Sequence, residues 1–193
     1  MMVSGETMPS TQTSEPTLDE LVALLERTPA ALRALLSGLP AAWLMHRERE
    51  GTWNATEIVG HLVHGERTDW LPRVRMILAT GDSVPFPPFQ REAHREAAQP
   101  TLEAQLATFA ALRAESLWAV RALALTPADL DRRGLHPVFG AVTLGQLLSA
   151  WAAHDLTHLH QLSRLLADRT RRAVGPWQRF LGVLHCDGHS EKA

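Results

Sequence analysis

Three helix-start signals of one kind divide this chain: Thr17-Leu-Asp-Glu20, Asn54-Ala-Thr-Glu57 and Thr143-Leu-Gly-Gln146. In each, a hydroxyl or amide side chain can accept the free amide hydrogen three residues on. The glutamate or glutamine there reaches back to the first residue's own amide. Each signal opens a run of apolar residues at helical spacing, such as Leu18, Leu21, Val22, Leu25, Leu32 and Leu36 after the first. A chain punctuated in this way buries its apolar surface by packing amphipathic helices on one another.

The first helix is expected from Thr17 to Gly38-Leu39-Pro40, kinked or interrupted by Pro29, because proline removes an amide donor and clashes with the preceding turn. The second runs from Asn54 to about Thr80, bent near Pro72. Pro85, Pro87 and Pro88 mark an irregular connection to about Pro100, long enough for a crossover between helices. A third helix starts at the Thr101 cap and runs to about Leu125. The segment from Arg132 to Gly140 is expected to be loop, and a fourth helix spans Thr143 to about Ala167. Gly175-Pro176 opens a short terminal helix with Trp177, Phe180 and Leu184. The expected fold is all-α, a four-helix bundle with a short extra C-terminal helix.

The 193 residues suit one domain. Its bounds are expected at 17–185, after a disordered leader over 1–16 and before a flexible tail over 186–193. A net charge of −2 gives no basic face for nucleic acid. The single cysteine, Cys186, rules out an internal disulfide and a cysteine-based zinc knuckle. Nothing reads as a membrane span or a signal peptide, so the cytoplasm is the expected compartment.

Histidine carries the chemical signal. His154 and His158 stand four apart on the fourth helix, about 40° apart around its axis, in a stripe with Leu147, Leu148, Trp151, Leu162 and Leu165. Two imidazoles in an apolar seam are costly to bury unless hydrogen-bonded or bound to an ion, and such a pair can offer two nitrogens to one metal. A third ligand must come from another helix. His61 and His64 on the second helix both qualify by spacing, being about 60° apart. Gln161 returns to the azimuth of His154, whereas His160 points away. Glu66 and Asp69 could support a ligand, but surface ion pairing is the role their type favours.

These residues carry a resemblance. Trp53-x-x-x-Glu57-Ile-Val-Gly-His61-Leu, then His136-Pro137-x-x-Gly140, Thr143-Leu-Gly-Gln-Leu-Leu and His154-Asp-Leu-Thr-His158-Leu-His-Gln161, resemble the DinB/YfiT-like family from about Leu18 to Ala167. The resemblance implies a four-helix bundle that binds a divalent ion, zinc or nickel, through His61, His154 and His158. It selects His61 over His64. It also implies a metal-dependent transferase that uses a low-molecular-weight thiol on a small electrophile. A metal-dependent hydrolase and a non-catalytic metal or small-ligand binding module are the alternatives. A homodimer is expected from the resemblance and from the apolar share of the first and terminal helices.

Other clusters have plainer accounts. His185-Cys186-x-x-His189 offers three ligand types beside a chain end and reads better as tail than as a metal clip. The segment Pro85–Arg91 reads as a surface connection whose phenylalanines dock on the core, with Arg91 and His94 as pocket charges if it folds over the site. Arg132-Arg133 reads as a solvated pair. Trp53, Trp118 and Trp151 are expected in the core or at its edge.

Overall fold

The computed structural model describes residues 15–95 and 100–186. The expected leader lies outside the described residues apart from Glu15 and Pro16, and the expected tail apart from Cys186. The described residues form α1 (Leu18–Leu25), α2 (Thr28–Leu36), α3 (Ala41–Leu44), α4 (Ala55–Thr68), α5 (Trp70–Thr80), α6 (Leu102–Ala122), α7 (Pro127–Leu130), β1 (Arg133–His136), β2 (Gly140–Thr143) and α8 (Leu144–Asp168). Among the described residues, α1 with α2, α4 with α5, α6, and α8 make the four arms of a helical bundle.

All three capping boxes form, with reciprocal bonds at Thr17/Glu20, Asn54/Glu57 and Thr143/Gln146. The prolines act as breaks. Pro29 lies in the first turn of α2, where its missing amide hydrogen costs nothing, so the chain breaks just before it at Glu26-Arg27. Pro72 likewise falls in the first turn of α5, and the break is taken at Asp69, with φ −115° and ψ −70°. The first arm therefore changes neighbours part-way: α1 packs on α8, while α2 packs on α6 and α8.

Two expectations are corrected. The segment read as loop is a two-stranded antiparallel hairpin pairing Arg133 with Thr143 and His136 with Gly140. Gly140 closes its turn at φ 75°, a conformation that other residues resist. A side chain at Gly134 would place Cβ 2.6 Å from Ile77 and Phe86, so the absent side chain lets the hairpin sit on α5. The short terminal helix is of the 3-10 type (Gly175–Phe180 and Gly182–Leu184), and of Trp177, Phe180 and Leu184 only the last is buried. Trp118 is 73% exposed, whereas Trp53 and Trp151 are buried as expected.

The apolar core is divided. One cluster joins α1, α5, Phe86, Leu117, Val120 and the α8 residues up to Ala152. The other joins α2, α4, Leu102, Leu106, Phe109, Leu162 and Leu165. Between them, at the levels of Arg113 on α6 and of Asp155 and His158 on α8, lies a buried polar layer. That layer contains the candidate site.

Candidate metal centre

The caps fix where each helix starts and so which way its side chains point. Counting from the Asn54 cap, His61 falls on the inward face of α4 and is buried. Counting from Thr143, Trp151, His154 and His158 rise along the inward face of α8. The imidazoles converge: the Nε2 of His154 lies 3.2 Å from that of His61 and 3.1 Å from that of His158. One nitrogen from each of the three can be chosen so that all lie within 4.8 Å of one another. Tetrahedral ligands at the zinc–nitrogen bond length would stand about 3.3 Å apart, close to the two spacings observed. His64 is not brought in. It is partly exposed, with Thr68 Oγ1 3.5 Å from its Nε2 and the Phe89 ring at 5.1 Å.

Hydrogen bonding alone satisfies this cluster poorly. The His158 Nδ1–H donates to Gln161 Oε1 at 2.8 Å, which leaves a lone pair on Nε2 in the neutral ring. A single hydrogen on His154 Nε2 cannot serve both of its close neighbours. A cation accepting three lone pairs satisfies all of them, so the donor set fits a divalent ion. The Nδ1 atoms of His61 and His154 are buried and have no hydrogen-bond partner among the described residues.

All three imidazoles are held neutral. Burial is the main cause of the downward shift at each, with neighbouring imidazoles adding to it at His61 and His154. His158 is lowered to about 4, its bond to Gln161 opposing the shift. Because the folded state resists protonation, the stability of ion-free protein should be complete above the ordinary histidine range near 6.5. It should fall as pH drops from there toward 4, by up to about 1.4 kcal/mol per pH unit for each imidazole. Urea midpoints at pH 7 and pH 5 measure this. A loss no greater than that of a His154→Gln control would count against a buried neutral cluster.

The connection after α5 folds across the site. Phe86 is buried, donates its amide hydrogen to Leu135 O at 2.8 Å, and lies under the Arg73 guanidinium. Phe89 stands edge-on to His61 at 5.5 Å, and Arg91 lies over Trp53 at 5.0 Å. His94 stands 4.9 Å from the Trp53 ring and 5.6 Å from that of His61. Trp53 itself lies against His61 at 4.8 Å and is stacked on His158 at 6.3 Å, with its Nε1–H donating to Glu92. The Arg91 charge bears on all three cluster imidazoles.

Other sequence candidates lie elsewhere. Cys186 Sγ is 3.5 Å from His160 Nε2, and His185 Nε2 donates to Gln178 O; His189 lies outside the described residues. Arg132 caps Leu78 O, and His136 Nδ1 accepts from the turn amides of Val138 and Phe139.

Glu66 and Asp69, read as surface ion-pair residues, are both buried. Asp69 pairs with Arg73 at 2.8 Å, and burial raises its carboxyl to about 6 against the opposing pull of that arginine. Glu66 and Asp155 flank Arg113 at 2.8 and 2.6 Å. Arg113 and Asp155 went unnoticed in the sequence. Their signal was there: each is a charge inside an apolar stripe, Phe109–Arg113–Leu117 and Trp151–Asp155–Leu162.

A sequence model described as the DinB superfamily matches residues 24–162. Two relatives, both provisionally named metal-dependent hydrolases, come from Oceanobacillus iheyensis and Bacillus mycoides. The first is 22% identical over 77% of this chain and 85% of its own length, the second 23% over 79% and 87%. Among solved structures, the chain is similar to YfiT from Bacillus subtilis, described as a four-helix bundle of unusual topology and provisionally as a metal-dependent hydrolase. The TM-score is 0.69 at 23% identity, covering 88% of this chain and 95% of that one. A second four-helix bundle protein matches with a TM-score of 0.50 at 26% identity, over 76% of this chain and 98% of that one.

Proposed function

The chain belongs to the DinB superfamily, and on that premise we propose that it is a metal-dependent enzyme. His61, His154 and His158 hold one divalent ion, zinc or nickel, and a low-molecular-weight thiol brought with the substrate attacks a small electrophile. The observation that carries this reading is the convergence of three neutral Nε2 atoms under the positive field of Arg91. A divalent ion on three imidazoles supplies a Lewis acid at which a thiol or a water sheds its proton near neutral pH.

The chain's own residues supply the rest. Gln161 holds the His158 ring through Nδ1, so that Nε2 faces the cluster. Trp53 and Phe89 line the site with ring surface. The Arg91 guanidinium favours an anionic nucleophile and any carboxylate the thiol carries. Glu57 and Glu92 are committed to Arg47, Arg95 and the Trp53 indole, which suits a nucleophile that ionises without a carboxylate base. Cys186 stands against His160, outside the three-histidine set, so the reactive sulfur arrives from solution.

Hydrolysis is the second reading. It is favoured by the relatives' names. The two readings part in one assay. Metal-loaded protein, stripped protein and His154→Ala are given chromogenic electrophiles and esters, each with and without a panel of small thiols. Turnover that needs both metal and thiol is expected. Metal-dependent turnover without thiol supports hydrolysis, and equal rates in all three preparations sink both.

We also propose a homodimer, supported by the exposed aromatic side chains of Trp118, Trp177 and Phe180, which are 73, 68 and 71% exposed. Light scattering at micromolar concentration should give about twice the chain mass. A value near 21.3 kDa would overturn the proposal.

A further inference from the structure

The polar layer beside the histidines is bound together by charge. Arg113 Nε and Nη2 donate to Glu66 Oε1 at 3.1 and 2.8 Å, and the Trp151 Nε1–H donates to that same oxygen at 3.0 Å. Arg113 Nη1 and Nη2 donate to the two oxygens of Asp155, and Nη1 also to Leu25 O; Thr28 Oγ1 donates to Asp155 Oδ2 at 2.6 Å. The layer therefore ties α1, α2, α4, α6 and α8 together, with two carboxylates set against one guanidinium.

The layer is lopsided. Three donors crowd Glu66 Oε1, while Glu66 Oε2, on a side chain only 1% exposed, has none among the described residues. The buried His154 Nδ1 likewise has no acceptor among the described residues. These two groups are linked through a stacked pair of indoles. Trp151 holds Glu66 and precedes His154 by one turn of α8, while Trp70 stacks on Trp151 at 5.8 Å and meets His154 edge-on at 5.1 Å. The Arg113 charge bears on His154 as well. His61, whose Nδ1 is also unpartnered, is a poorer match, because it lies about 140° around α4 from Glu66.

A buried carboxylate oxygen without a donor and a buried ring N–H without an acceptor each cost free energy, and each supplies what the other lacks. When Nε2 binds a metal, the remaining ring hydrogen stays on Nδ1, and a carboxylate bonded there fixes the ring and strengthens the ligand.

We propose that Glu66 is the positioning residue of His154: its Oε2 accepts the Nδ1 hydrogen, directly or through one enclosed water, when the three Nε2 atoms hold a divalent ion. This rests on the three-histidine metal reading. Arg113 and Asp155 then serve to hold Glu66 in place from the opposite side.

The test uses zinc as the probe and full-length protein. Competition against a chromophoric chelator should show Glu66→Gln binding zinc about 10- to 100-fold more weakly than wild type. Thr28→Val cuts the layer at its far end and should lower stability while keeping the wild-type zinc affinity, which separates positioning from general support. In zinc-loaded wild type, nitrogen-15 spectra should show a downfield, slowly exchanging Nδ1–H on His154. That readout stands even if Glu66→Gln fails to fold. A folded Glu66→Gln that binds zinc as tightly as wild type, or a rapidly exchanging His154 Nδ1–H, overturns the proposal alone. Wild type that takes up no zinc overturns the metal reading with it.

Discussion

Alanine at His154 is expected to strip the protein of its ion. The Nε2 of this residue is the one within 3.2 Å of both other imidazole nitrogens, so its removal leaves His61 and His158 with no shared partner. His61→Ala and His158→Ala should act in the same way, because two imidazoles cannot enclose the ion in the three-nitrogen set that an open zinc or nickel site uses. The loss should exceed the roughly 10- to 100-fold that follows removal of a supporting hydrogen bond. His64→Ala, His160→Ala and His185→Ala should keep the metal, since their rings contact Phe89 and Thr68, Cys186, and Gln178 respectively. Metal analysis of untagged protein purified without added nickel should find one equivalent per wild-type chain. An ion retained by His61→Ala but lost from His64→Ala would show that the ligand on α4 is misassigned.

Arg113→Leu is expected to be the most damaging single change to stability. Arg113, 1% exposed, sets its guanidinium between Glu66 and Asp155, and it also satisfies the Leu25 carbonyl at the end of α1. Removing one partner of a buried ion pair leaves charge without compensation and typically costs about 3–5 kcal/mol. In a chain of this size that is a fall in Tm on the order of 10 °C. Trp118→Ala on the same helix removes a larger side chain but an exposed one, and should change stability little in the monomer. Urea unfolding of the two variants beside wild type makes the comparison. A loss below about 1 kcal/mol for Arg113→Leu would mean that the layer is wetter than its burial implies.

Much of this fold was legible because its signals are local. A capping box spans four residues, and Thr17, Asn54 and Thr143 each begin a helix wherever the rest of the chain lies. The proline breaks follow from a missing hydrogen and a fixed φ, again within one turn. The spacing of His154 and His158 places both on one face of α8 whatever packs there. Spacing left His61 and His64 open; the resemblance selected His61, and the packing places His61, not His64, against the pair.

What the sequence could not supply depends on groups far apart in the chain. Arg133–Thr143 became a hairpin because Phe86 and Ile77 fill the space beside Gly134, a contact spanning some fifty residues. Trp118 and Arg113 share α6, and hydrophobicity alone would bury the tryptophan. The reverse holds because Glu66, Asp155 and Leu25 O meet at Arg113 from three other helices, so burying its charge is compensated there, while Trp118 is left 73% exposed among the described residues. Helix positions and the orientation of the histidine pair were thus fixed by neighbours a few residues away. The division of the core by a charged layer, and the third imidazole's approach to the other two, were decided by tertiary packing, because only a folded bundle brings compensating charges and converging lone pairs into one place.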